Sequence, residues 1–334
     1  MRTICLGSTG IQVPQNAFGA LPIQRISDDQ AVALLRRAFD GGMRFFDTAR
    51  AYSDSEHKMG LAFAGRWDQL YVATKTQATT PDAFWADLQA SLAALGTDCV
   101  DLYQFHNVGQ VFRPGDSTGM YECMLEAKAQ GRIRHIGITT HSADVAYEAV
   151  ESGLYETLQY PFSYLSSDRE LALPEACAKA GMGFIAMKAL AGGLLTDSHA
   201  IMAFVSQYDV LPIWGVQRAS ELEEWLAFMD QDVTLDAKAQ AVIDADRASL
   251  AGGFCRSCGY CMPCPQEIPI FQAARMNMLL RRMPTQGWLS PDWQERMRRI
   301  EGCTECRACV AKCPYHLDIP RLLRENLADY RTFL

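Results

Sequence analysis

No apolar run in this chain approaches the ~20 residues that a membrane-spanning helix needs. An excess of basic charge is missing too. Lys and Arg number 31 against 39 Asp and Glu, giving a net charge of -8 and a pI near 5.3. That balance argues against a nucleic-acid groove and against attraction to an anionic membrane surface. The opening "MRTICLGSTG" holds one positive charge and no sustained apolar stretch, so no signal peptide is expected and the expected location is cytoplasmic. Cysteine is sparse over most of the length. Cys5, Cys99, Cys123 and Cys177 are scattered, whereas the other eight of the 12 fall between Cys255 and Cys313. Such bunching suits a metal site in a reducing compartment, not a disulfide framework. His135, His141, His199 and His316 have no ligand spacing and read as surface or packing residues.

What is present is ample apolar material. The 334 residues are 49% hydrophobic, enough for one large core or a core plus a small domain. Short runs rich in Val, Ile, Phe and Tyr alternate with amphipathic segments: "NAFGA", "RFFDTA", "QLYVATK", "VDLYQFH", "IRHIGIT", "TLQYPF", "GFIAMK" and "VLPIWGV". Strands buried on both faces and alternating with helices imply a parallel sheet. Eight such units in roughly 230 residues favour a closed (β/α)8 TIM barrel. Asp28 and Thr80 are expected as helix N-caps, and Gly41 and Gly96 as stops. "TICLGSTGIQVP" reads as an added hairpin that plugs the barrel bottom. After "AGGFC" the strand runs cease, which places a domain boundary near Gly252: residues 1–251 form the barrel and residues 252–334 a small helical domain.

In a barrel the chemistry sits at the C-terminal ends of the strands. Asp47 ends the second strand, with Tyr52 in its loop. Lys75 ends the third and His106 the fourth. A lone Lys or His after a strand is ordinarily a solvated loop residue, but barrel geometry converges all four on one pocket. Tyr52 reads as a general acid whose ordinary pKa near ~10 is too high for easy transfer at neutral pH. Lys75, steadied by Asp47, supplies the positive charge that lowers it. His106 adds an imidazole to the same pocket. The loop "NVGQVFRPGDSTGMYE" reads as substrate wall, with apolar groups near Leu21, Ile23 and Trp85.

"GMRFFDTARAYSDSE", "ATKT" and "DLYQFH" together resemble the aldo-keto reductases over about residues 1–230. The resemblance implies that Asp47, Tyr52, Lys75 and His106 are that family's catalytic tetrad and that the hydride donor is NADPH, or NADH. It places Thr139, Thr140 and Gln159 on the nicotinamide carboxamide, with Met187 where the family commonly stacks a tyrosine. It places Gly192 and Gly193 of "LAGG", and the segment from Gly215, on the phosphates and adenosine. Arg218 is set to meet a 2'-phosphate and Glu224 the adenine amine. Thr140 and Trp225 stand where asparagines are common.

"CRSCGYCMPCP" carries Cys255, Cys258, Cys261 and Cys264, and "CTECRACVAKCP" carries Cys303, Cys306, Cys309 and Cys313. Three thiolates at successive i+3 positions wrap three corners of a cubane, and a fourth before Pro typically serves a different cluster. Two four-thiolate zinc sites are the alternative, but zinc motifs usually separate two Cys pairs by a longer loop. Each motif is followed by a weak repeat, "CPQEIPIFQAARMNML" and "CPYHLDIPRLLRENL", in which Pro269 and Pro320 suit a first helical turn. These features resemble an α-helical two-cluster ferredoxin. The resemblance implies two 4Fe-4S clusters with exchanged fourth ligands, Cys313 joining the first three cysteines and Cys264 the second three. "RMNMLLRRM" reads as a helix packing within that domain, not a docking site.

Hydride transfer moves two electrons together and a cluster moves one, a mismatch that flavins bridge and nicotinamide does not. Three functions therefore stand side by side. One is an NAD(P)H-dependent oxidoreductase interconverting a small-molecule carbonyl and alcohol. Another is an electron-transfer enzyme using a flavin or a redox partner protein. The third is a nucleotide-binding sensor or subunit without turnover, which the intact tetrad disfavours.

Overall fold

The structure, a computed structural model, describes residues 1–250, 254–282 and 285–334. Two compact units make it up: residues 1–189 with 197–242, and residues 190–196 with 243–334. The boundary expected near Gly252 lies outside the described residues.

In the first unit every one of the eight apolar runs is a strand. Two short strands come first, β1 (Thr3–Cys5) and β2 (Gln12–Pro14), paired antiparallel as a hairpin. Then follow β3 (Ala17–Gly19), β4 (Phe45–Asp47), β5 (Tyr71–Thr76), β6 (Val100–Phe105), β7 (Ile133–Thr139), β8 (Thr157–Pro161), β9 (Gly183–Met187) and β10 (Leu211–Gly215). These eight form a closed parallel barrel in sequence order, shut by the register Ile213↔Ala17 between β10 and β3.

Strand alternation sorts each strand into layers. Ala17, Phe45, Ala73, Leu102, Ile185, Leu211 and Ile213 form an apolar cluster with Ile4, Leu6, Ile11 and Val13 of the hairpin. The hairpin thus closes the N-terminal end, as expected. The fit is tight. A Cβ on Gly7, whose φ is +58°, would fall 2.2 Å from the backbone nitrogen of Gly183. Two residues further along these strands stand Asp47, Lys75 and Gln104, so the site sits one layer above the plug.

The helices begin and end for local reasons. Ser27, not Asp28, caps Asp28–Asp40, through a capping box with Gln30. Asp28 and Asp29 instead lie in the first turn, where negative charge suits the helix dipole. Thr80 caps Pro81–Leu95 as expected, and Gly96 ends it in the left-handed region. Behind β10, Trp214 stacks on Trp225 with centroids 3.8 Å apart and rings 2° from parallel, and Trp214 Nε1 donates to Asn16 Oδ1 at 2.8 Å.

The described residues of 254–334 contain helices and no strand. Met276–Arg282 buries Met276, Leu279 and Leu280. It is tied to Ile319–Arg331 by Asn277 N–H donating to Asn326 and by an Arg281–Asp329 ion pair. Pro320 lies in a first helical turn, whereas Pro269 stands just before one, as the cap of Ile270–Ala273. No helix among the described residues is long and apolar enough to cross a membrane.

Candidate active site

β4 ends on Asp47 and β5 carries Lys75 on the same inner layer. Lys75 Nζ donates to both Asp47 carboxylate oxygens at 2.7 Å and to the Thr48 carbonyl at 2.6 Å. Both side chains are almost wholly buried. Burial pulls the lysine below its ordinary value and pushes the carboxyl up, and their mutual attraction opposes both shifts. A buried pair of this kind survives because every donor is satisfied. Glu56, also buried, adds a further negative charge near Lys75. It accepts from Thr74 Oγ1 at 2.6 Å and pairs with Arg50 at 2.5 Å.

Tyr52 lies in the loop after β4, with Lys75 Nζ 5.3 Å from its ring centroid. The next residue, Ser53, has a φ of +42°, and its carbonyl accepts from Arg50. His106, just past β6, meets Tyr52 edge to face at 5.6 Å. Burial, then the charges of Lys75 and Lys188, hold its imidazole down to about 3. It is therefore neutral at physiological pH, and its buried Nδ1 has no hydrogen-bond partner among the described residues. All four tetrad residues are brought together.

The nucleotide residues divide. Gln159 lies on the barrel floor, accepting from Gln104 Nε2 at 2.9 Å and facing Asp47 at 3.5 Å and Met187 sulfur at 3.9 Å. Thr139 and Thr140 are buried at the β7 end. Thr139 Oγ1 accepts from Asn107 N–H, and Thr140 Oγ1 donates to the Val108 carbonyl while accepting from Ser142 N–H. Both hydroxyls therefore anchor the loop after β6. Gly215 is exposed at the end of β10. Arg218 is engaged by Glu221 at 2.8 Å in a capping box, with its side chain 74% exposed. Glu224 is exposed, and its neighbour Trp225 belongs to the tryptophan stack in the core. Gly192 and Gly193 belong to the second compact unit. Of the expected substrate wall, Leu21 is 40% exposed, Ile23 is buried, and Trp85 packs edge to face on Phe84.

Three residues escaped the sequence reading. Gln104 was signalled by its place two residues before His106 on the same strand. Lys188 follows β9, with a φ of +58° that a non-glycine residue adopts at some cost. Arg275 opens "RMNMLLRRM", a stretch whose composition says nothing of the residue's partners.

The eight clustered thiols interleave between motifs. Cys255 interacts electrostatically with Cys258 and Cys313, and Cys309 with Cys303 and Cys306. A concavity is lined by Cys261 and Cys264 of the first motif together with Cys303, Cys306 and Cys309 of the second. Among the described residues no group of three or more His, Cys, Asp or Glu side chains gathers as a cage for a metal ion. Five of the thiols line that concavity instead, a donor set that suits a thiolate-held polynuclear cluster.

Residues 3–225 match the aldo/keto reductase family and residues 254–318 match a 4Fe-4S dicluster domain. Methylglyoxal reductase DkgB of Salmonella typhi is 31% identical over 254 residues, covering 69% of this chain and 92% of that protein. Aldo-keto reductase str7 of Strobilurus tenacellus is 29% identical over 208 residues, and the match spans 56% of this chain and only 61% of that relative's length. Two solved structures share the barrel. The holo form of aldo-keto reductase AKR11C1 from Bacillus halodurans has a TM-score of 0.65 at 20% identity, over 74% of this chain and 96% of that one. An aldo-keto reductase from Klebsiella pneumoniae in complex with NADPH has a TM-score of 0.61 at 22% identity, over 73% and 95%. The chain belongs to the aldo/keto reductase family and carries a 4Fe-4S dicluster domain after its barrel.

Proposed function

We propose that this oxidoreductase uses NADPH, in preference to NADH, to reduce a small aldehyde or ketone to an alcohol, with Tyr52 as the general acid. The observation that carries the reading is the Lys75 ammonium, held by Asp47 and Thr48 and facing the Tyr52 ring. The bound nicotinamide supplies a hydride to the carbonyl carbon. Tyr52 gives its phenolic proton to the carbonyl oxygen. The negative charge that develops on the phenol is stabilised by Lys75, whose own charge Asp47 retains in a buried site. His106, neutral, contributes a hydrogen-bonding nitrogen beside the carbonyl and not a charge. Gln159 and the two threonines bound the nicotinamide side, and Arg218 offers a planar fork to a 2'-phosphate. Residues 1–251 carry this chemistry and residues 252–334 the clusters. Their ligands are read as Cys255, Cys258, Cys261 and Cys313 for the first, and Cys303, Cys306, Cys309 and Cys264 for the second.

The test uses anaerobically purified protein. NADPH oxidation is followed with methylglyoxal, the substrate named for the Salmonella relative, and with a panel of small aldehydes and ketones. Tyr52→Phe should lower kcat by about 10²–10⁴-fold, the range of a lost general acid, with iron content unchanged. Failure of the wild-type protein to bind either nucleotide at millimolar concentration, with flavin extracted instead, would turn the reading to cluster-linked electron transfer.

A further inference from the structure

Arg275 is 6% exposed, an unusual place for a guanidinium. It follows Ile270–Ala273 in the second compact unit. Nη1 donates to the Ala191 carbonyl at 3.2 Å and Nη2 to the Gly192 carbonyl at 2.7 Å, both on the 190–196 segment of that unit. Nε is buried and has no hydrogen-bond partner among the described residues. A buried charged donor left unpaired is costly, and native proteins rarely tolerate one.

The surroundings identify the missing acceptor. The charge of Cys255 acts on Arg275, and that of Arg275 on Cys255. A Cβ built on Gly192 would fall 2.7 Å from Arg275 Nη1 and 3.1 Å from the Cβ of Ser257, which lies between Cys255 and Cys258. The guanidinium is thus packed among the Gly192 loop and the first cysteine motif. Cys255 and Cys258 flank Ser257 here, so sulfur, as thiolate or cluster sulfide, is the anionic acceptor that the motif offers to this guanidinium. The second motif's hollow differs. Its lining includes Arg307 as its one arginine, and Cys306 is exposed.

We infer that Arg275 is a potential-setting residue: its Nε–H donates to a sulfur of the first cluster and, with the fixed guanidinium charge, favours that cluster's reduced state over the second's. A reduced cluster carries one more negative charge, so a permanent cation and an N–H···S bond stabilise it more than the oxidised form and raise its potential. This inference concerns the clusters alone and stands or falls separately from the carbonyl reductase reading.

The experiment is an EPR-monitored redox titration of the full chain, purified anaerobically, with iron and sulfide counted. In Arg275→Gln, one of the two midpoint potentials should fall by at least the equivalent of a tenfold change in the reduction equilibrium, about 59 mV for a one-electron couple, and the other should stay. Arg281→Gln, which removes an exposed arginine paired with Asp329, should move neither. Arg275→Lys retains the charge without Nε and should give a smaller fall of the same potential. If Arg275→Gln loses iron, the lysine variant decides, together with native protein labelled with nitrogen-15 in the arginine guanidinium. Pulsed EPR of the labelled protein should show a nitrogen coupling on the first cluster that vanishes in Arg275→Lys. A fully loaded variant with both potentials unchanged, or no such coupling in the native protein, overturns the inference.

Discussion

The barrel mouth and the cysteine-bearing region reach function by opposite routes. In the barrel, polar groups are far apart in sequence and are held by the strands and by one another. Lys75 has its three acceptors, Glu56 has Thr74 and Arg50, and Gln159 has Gln104. In the cysteine region the functional groups are close in sequence and the backbone is irregular. Ser257, Glu267, Glu305, Arg307 and His316 all have positive φ without being glycine. Charge separates the two as well. Residues 1–253 hold 19 Lys and Arg against 31 Asp and Glu, whereas residues 254–334 hold 12 against 8. A region rich in Arg suits the housing of anionic thiolates. The lesson is that one site is preorganised by packing and the other is completed by what it binds.

The strongest way to break this contrast is to remove a thiol. Cys313→Ser and Cys264→Ser should each leave about half of the iron, and Cys313→Ser should remove the cluster carried by the first motif. Iron analysis with EPR checks this, and the barrel's circular dichroism should not change. Loss of the second motif's own cluster in Cys313→Ser would contradict the exchanged ligands. Next in size is Lys75→Met. It strands Asp47 as a buried unpaired carboxyl and should cost about 3–5 kcal/mol in urea unfolding of the barrel, with carbonyl reduction lost and iron retained.

His106 gives a pH signature confined to the barrel. In an unfolded chain its imidazole takes up a proton near pH 6.5, but in the native protein only near about 3. Between those values the unfolded state binds more protons, so this contribution to stability is complete above pH 6.5 and is lost as the pH falls. The slope is about 1.4 kcal/mol per pH unit. Urea titrations from pH 7 to 4 should show it, and His106→Asn should flatten it. The smallest effect sharpens the cofactor reading. Arg218 is exposed and already bonded to Glu221, so Arg218→Ala should weaken NADPH relative to NADH by only about tenfold, the lower end for a charged hydrogen bond. Equal loss for both nucleotides in a binding titration would remove Arg218 from 2'-phosphate recognition.

Most of the barrel was legible because its strands are short and apolar and their polar ends break the pattern. Asp47 after two phenylalanines, and Lys75 at the end of "VATK", are visible without coordinates. The cysteines were legible by spacing alone. What sequence hid was partnership across distance. Nothing near Arg275 says that it will bond to carbonyls some 80 residues earlier, and nothing near Thr140 says that its hydroxyl will be spent on Val108. Trp225 looked like a departure at a nucleotide position, yet its ring is in the core on Trp214. Ser27 displaced Asp28 as a cap because both residue types cap well, and only the capping box with Gln30 separates them.

The hairpin that closes the barrel has a consequence for synthesis. Ile4, Leu6, Ile11 and Val13 leave the ribosome long before Ile185, Leu211 and Ile213, against which they are buried and which arrive near the end of the barrel. At ~5–20 residues per second the wait is on the order of ten seconds or more. During it this nascent segment exposes apolar side chains with no native partner. Strands of three residues each, β1 and β2, offer little edge for mispairing with another nascent chain. The contacts of longest sequence separation thus come last, which places barrel closure late in folding and makes the first fourteen residues its final latch.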